Sequence, residues 1–383
     1  MDKPTVQDIF HRFYPAYLDQ YSPSPVQAKV AHNIMNCKTG AYGANVCVCE
    51  DCGFVQIHYN SCRNRCCPMC QAVPKEMWMD ARREDVLDAP YFHLVFTVPD
   101  ILNPVIYSNQ RLLYDALYHA ASSTISELTA DPKHLGAKVG YICILHTWGS
   151  EMNFHPHIHT ILLGGGLASN NQWRDNGENF FLPIRVISKM FRGKYLEELK
   201  RLWEEDKLVF HGTAEKFCNH YTFKELLDSC YGMDWIPHCK KTFNGAQTVI
   251  KYLGKYTHRI AVSNHRIVRM DDDTVTFLVK DYRNEGQWKE LTISGVEFVR
   301  RFLMHVPPRR FVRIRHYGLL CSRTKSQKLT LCRNLLGCKK YLSKLRDMEM
   351  PEILEHLYGI KVCVCKACGG HLGKPQMRMP LRC

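Results

Sequence analysis

Between Arg300 and Arg346 the chain has no aspartate and no glutamate. Cations that long uncompensated argue against a basic partner and favour a polyanion. Phe302, Phe311, His316 and Tyr317 are interleaved with Arg309, Arg310, Arg313 and Arg315. Rings that stack on bases, beside cations that track phosphates, suit single-stranded DNA. Also missing is any apolar run long enough to cross a bilayer, which argues against a helical membrane protein. The start, Met1-Asp2-Lys3-Pro4, lacks the basic and apolar character of an export leader. The expectation is a cytoplasmic protein whose cysteines stay reduced.

What is abundant agrees with this. Lysine plus arginine number 51 against 37 acidic residues, a net charge of +14. The 383 residues, 45% of them hydrophobic, suffice for two or three domains with a sizeable core. Nineteen cysteines are many for this length, and in a reducing compartment close-spaced ones point to zinc. Two Cys-x-x-Cys knuckles, Cys49/Cys52 and Cys67/Cys70, have the spacing of a zinc ribbon, with Cys62 and Cys66 as further possible ligands. Four thiolates leave no open coordination position, so this module is expected to bind DNA rather than catalyse. Arg63 and Arg65 lie beside it in sequence, well placed for phosphates. A tail knuckle, Cys365/Cys368 with His371 and Cys383, would make a small second zinc site.

The chemistry is sought at Asn153-Phe154-His155-Pro156-His157-Ile158-His159-Thr160. Proline leaves the preceding residue extended, and the apolar, β-branched run after it reads as a strand. Alternation puts His157 and His159 on one face, half of a metal site, and Ile158 on the other. Downstream, Ala246, Val249, Ile250 and Leu253 form the apolar stripe of a helix on which Tyr252 and Tyr256 are neighbours. His93 and His146 read as structural.

His-hydrophobe-His followed by a Tyr-x-x-x-Tyr helix resembles the HUH endonucleases. The wording Tyr252-Leu253-Gly254-Lys255-Tyr256-Thr257-His258-Arg259 is similar to the two-tyrosine rolling-circle insertion-sequence transposases. That family typically has histidine just before the second knuckle, where this chain has Cys66. The resemblance implies an α+β fold. It would be an HUH palm with a mainly antiparallel central sheet flanked by helices, an N-terminal zinc ribbon and a basic helical C-terminal region. The expected divisions are 1–88, 89–299 and 300–383. It also implies a transposase that nicks and rejoins single-stranded DNA at element ends through a 5′-phosphotyrosine on Tyr252 or Tyr256. His157 and His159 would hold Mg²⁺ or Mn²⁺, with Gln247 or His155 as third ligand, while Lys255 and Arg259 hold phosphates. A replication initiator or relaxase shares that chemistry, and a non-catalytic zinc-dependent DNA-binding protein is the reading from another class.

Overall fold

The computed structural model describes residues 3–175, 182–235, 237–243, 249, 254, 261–281, 285–374 and 376–378. Its centre is a mainly antiparallel sheet built around one long strand. That strand, β5 (Phe154–Leu167), lies between β3 (Tyr91–Thr97) and β4 (Lys138–Trp148). A further strand, β7 (His238–Phe243), adds to β3, and β6 (Trp173–Asp175) pairs with the far end of β5. Strand β5 is buried on both faces from Pro156 onward, as befits a central strand covered on both sides. Pro156 lies inside it, and the pairing with β4 slips between His146 and Trp148 at this point. A bulge there accommodates a residue that cannot donate to the ladder.

The back face carries Ile158, Leu162, Leu94, Phe96, Cys143 and Leu145 into the largest core. This face is closed by α5 (Gln110–Ala130), α6 (Ile184–Glu204) and α7 (His220–Gly232). The front face has its own core, where Ile142, Ile144, Ile161 and Leu163 meet Met79 and Val249. Met79 comes from α3 (Ala72–Arg83).

A third core packs the N-terminal helices against residues 261–306. Helix α1 (Val6–Gln20) starts at a Thr5/Asp8 capping box and buries Ile9, Phe10, Phe13, Tyr14 and Tyr17. It packs with α2 (Pro25–Met35), the three-stranded sheet β8 (Ile267–Met270), β9 (Thr274–Asp281) and β10 (Gln287–Ser294), and α8 (Gly295–Met304). Phe10 meets Phe302 edge-on, with ring centroids 5.2 Å apart. Among the described residues, no helix is long and apolar enough to cross a membrane.

The α+β palm is as expected, and the region after residue 300 contributes a strand to it. Strand β11 (Ile314–Gly318) forms the sheet edge beside β4, from Ile314 opposite Ile144 to Gly318 opposite Gly140. Helices α9 (Lys325–Leu336) and α10 (Met350–Tyr358) follow. Two cations of the expected run are paired by acids that directly follow α3. Lys325 pairs with Asp85 at 2.7 Å and Arg346 with Glu84 at 2.6 Å. Asp80 accepts hydrogen bonds from Tyr341, Ser343 and the Leu345 amide. Acids missing within the stretch are supplied from across the fold.

Ile158 tests the central strand. Ile158→Ala should cost about 2–5 kcal/mol of unfolding free energy, since it empties a fully buried site behind the histidines. Chemical denaturation measures that loss.

Candidate metal centre and nucleic-acid interface

The register of three strands assembles a histidine cluster on the front face. Directly opposite residues in antiparallel strands share a face. His157 lies opposite His146 on β4, and His159 lies between Ile144 on β4 and Val95 on β3. His146, His157 and His159 therefore converge, with ligand nitrogens all within 4.8 Å of one another. All three are buried.

Hydrogen bonds at Nδ1 orient the rings of His157 and His159. His157 donates Nδ1–H to the His155 carbonyl at 2.7 Å, leaving a lone pair on Nε2. His159 Nδ1 lies 2.8 Å from His93 Nε2. When it donates there, its Nε2 is also a lone pair. Those two Nε2 atoms are 3.0 Å apart. Adjacent ligands of an octahedral ion at about 2.1 Å stand about 3.0 Å apart, so the spacing fits a cation held between them. Burial pushes the His157 imidazolium down to about 4 and that of His159 well below its ordinary value. Both rings are neutral at pH 7, the form that ligates.

Two sequence expectations are corrected here. His146, expected to be structural, joins the pair through a cross-strand contact. His155 does not: its ring is 5.2 Å from that of His157, but its Nδ1 pairs with Asp100 at 3.2 Å. The bulge at Pro156 gives the physical reason, because it breaks the alternation that would align His155 with His157. His93, also read as structural, orients His159. Neither histidine has a local signal; only the strand register places them.

Tyr252, Tyr256, Gln247, Lys255 and Arg259 lie outside the described residues. Two neighbours of theirs in sequence are described. Val249 is buried against Tyr91, Ile142 and Ile161 on the histidine-bearing face. Gly254 lies so close to Met79 of α3 that a Cβ would overlap its sulfur.

The cysteines form two clusters, paired differently from the expected ribbon. Cys67 and Cys70 join Cys37 and Cys62, whereas Cys49 and Cys52 join Cys365 and Cys368. Cys66 belongs to neither: it is buried beside Arg65 and Arg313. The zinc-ribbon spacing misleads because β1 (Ala44–Val48) and β2 (Val55–Tyr59) form a hairpin that carries the first knuckle away from the second. In the first cluster, Cys62 and Cys70 sulfurs are 3.8 Å apart. Hydrogen bonding to Cys62 and Cys70 pushes the Cys67 thiol up, while hydrogen bonds from Cys62 and Cys67 hold Cys70 down. Four such thiolates cannot coexist without a cation.

Comparison with known proteins fits this geometry. Residues 140–328 match the family model described as "Putative transposase", and residues 9–98 the one described as "Transposase zinc-binding domain". The "Putative transposase y4qJ" of Sinorhizobium fredii (strain NBRC 101917 / NGR234) is 40% identical over 95% of this chain and 93% of its own length. The chain belongs to the two-tyrosine insertion-sequence transposase family. The transposase for insertion sequence element IS801 of Pseudomonas savastanoi pv. phaseolicola is 30% identical over 79% of this chain and 72% of that protein. Among solved structures, the conjugative relaxase TrwC in complex with oriT DNA is similar over 45% of this chain and 74% of that chain. Its identity is 12% and its TM-score 0.25, too low to carry an argument.

The transposase's expected DNA-binding arginines fall into two groups. Arg309 and Arg310 are exposed on the loop before β11. Arg65 reaches this loop from the first cysteine cluster, donating to the Phe311 carbonyl at 2.6 Å, and Arg111 donates to the Arg309 carbonyl. Arg63, two residues before Arg65, is also exposed. Arg313 and Arg315 are committed to the fold. Arg313 is partly buried beside Cys66, and Arg315 pairs with Asp115 and lies 3.9 Å over the Tyr118 ring.

Two measurements test these assignments. His93→Ala should weaken Mn²⁺ binding about 10–100-fold, and His146→Ala at least as much, as followed by the electron paramagnetic resonance of free Mn²⁺. Arg309→Ala and Arg310→Ala should each lower the slope of log affinity for single-stranded DNA against log salt by about one. Arg315→Ala should leave that slope unchanged and lower thermal stability.

Proposed function

We propose that this transposase nicks and rejoins single-stranded DNA at the ends of its element. Tyr252 and Tyr256 act as nucleophiles, and His146, His157 and His159 hold Mg²⁺ or Mn²⁺. The observation that carries this reading is the convergence of three buried, neutral imidazoles on one sheet face in a chain of this family. Three such ligands suit a divalent ion and leave positions open for phosphate oxygens, with imidazole favouring manganese. The ion, when bound, supplies neutralisation of charge on the scissile phosphate.

The rest belongs to the chain. A tyrosine phenol, with an ordinary pKa of roughly 10, loses its proton as Oη attacks phosphorus. The bond from phosphorus to the 3′ oxygen breaks, that oxygen takes a proton, and a 5′-phosphotyrosine remains. One phosphodiester is exchanged for another, so a second 3′-hydroxyl can reverse the step and join strands without ATP. Two tyrosines allow two successive cleavages, as rolling-circle transfer requires. Lys255 and Arg259 are assigned to phosphate binding near the nucleophiles. His93 and the His155 carbonyl keep the ligand nitrogens oriented.

The test is denaturing electrophoresis of the protein with a labelled oligonucleotide carrying the element's end and Mn²⁺. Wild-type protein should give a covalent adduct. Tyr252→Phe with Tyr256→Phe should bind the oligonucleotide and give none, and His157→Ala should lose cleavage while keeping much of the affinity. An adduct at wild-type yield from the double Phe variant would place the nucleophile elsewhere. Cleavage with no adduct at any time would indicate attack by water.

A further inference from the structure

The second cysteine cluster joins residues from opposite ends of the sequence. Cys49 Sγ lies 3.5 Å from Cys368 Sγ, and Cys52 Sγ 3.7 Å from Cys365 Sγ. A tetrahedron of sulfurs about 2.3 Å from a central zinc has edges of about 3.8 Å. A disulfide would bring the sulfurs to about 2.05 Å. The separations match the edges of a metal-centred tetrahedron.

The backbone is shaped for the same purpose on both sides. Each knuckle ends in a glycine in the left-handed region, Gly53 at φ 71° and Gly369 at φ 77°. The Gly53 amide donates to the Cys49 carbonyl at 3.0 Å, and the Gly369 amide to the Cys365 carbonyl at 2.9 Å. The Cys49 amide donates to Phe54 and the Cys365 amide to Gly370, at 2.9 and 2.8 Å. Amides of Ala367 and Gly370 also point at the sulfurs of Cys365 and Cys368, each at 3.4 Å, where they stabilise thiolates. Two near-identical half-sites face each other.

Around them the termini are stitched together. Strand β12 (Gln376–Arg378) pairs with β1, Cys49 bridges Leu372, and the Glu50 and Gly373 amides donate to His371 and Val48 carbonyls. Gly370 approaches the Asp51 carboxylate so closely that a Cβ would overlap it. His371, expected as a ligand, contributes backbone contacts instead, and Cys383 lies outside the described residues.

We propose that Cys49, Cys52, Cys365 and Cys368 form a second structural zinc centre, separate from the first, that fastens the two ends of the chain together. Half of its ligands lie beyond residues 9–98, the segment matched to the zinc-binding domain. A closed set of four thiolates favours zinc and leaves no position for a substrate.

Metal analysis of the full-length protein should find about two zinc ions per chain. Cys365→Ser with Cys368→Ser should retain about one, and Cys363→Ser, the neighbouring exposed thiol, about two. A double variant that keeps the wild-type zinc content would overturn the proposal. Should that variant fail to fold, alkylation of the zinc-replete wild-type chain decides. Cys52, Cys363 and Cys368 are all exposed. Cys52 and Cys368 should react at least about tenfold more slowly than Cys363, and a chelator should abolish the difference, because a metal-bound thiolate is a poor nucleophile. Equal rates before chelation would sink the idea.

Discussion

The parity of β5 governs the molecule. In a strand buried on both faces, every second side chain belongs to a different environment. Ile158, Thr160 and Leu162 serve the helical layer behind the sheet, while His157 and His159 face forward. A slip of one residue would drive imidazoles into the core and isoleucine into the place of the histidine cluster. The parity is secured from both sides, by β3 and β4, along most of the strand's length. Of the two irregularities in its pairing with β4, the one at Pro156 falls just outside the histidine pair and leaves the His155 carbonyl to orient His157.

How legible this was depended on the range of the interaction. The His-x-His strand could be read because alternation is local, and α1, α3, β3 and α6 follow from local periodicity in the same way. His146 and His93 could not, since nothing near either in sequence marks it; the register sets His146 opposite His157, and His93 two residues along β3 from the position opposite His159. The cysteines show the limit most plainly. Spacing identifies a knuckle but not its partner. Pairing Cys49/Cys52 with the nearest knuckle was the economical inference, but the β1–β2 hairpin carries them to the C-terminal knuckle instead.

Charge was legible as composition and misleading as surface. The stretch from Arg300 to Arg346 reads as a continuous cationic track. In the fold, α8 turns Arg300 and Arg301 onto Glu297, and β11 lays Arg315 against Asp115. What remains exposed is discontinuous: the Arg309–Arg310 loop, tied by Arg65 to the first cysteine cluster, and then Arg323, Lys339, Lys340 and Lys344. A polyanion attracted by the net charge of +14 would therefore meet separate groups of cations rather than one continuous track.

The split between the two halves of the C-terminal cysteine cluster has a temporal side. Cys52 and Cys365 are 313 residues apart. At about 5–20 residues per second, synthesis separates them by roughly 15–60 s. During that interval Cys49 and Cys52 have left the ribosome without their partners, and β1 lacks its neighbour β12. The β1–β2 hairpin is thus completed by residues 365–378, so a chain cut short before them would carry the histidine cluster yet leave the hairpin without its partner strand and half of its cysteine cluster.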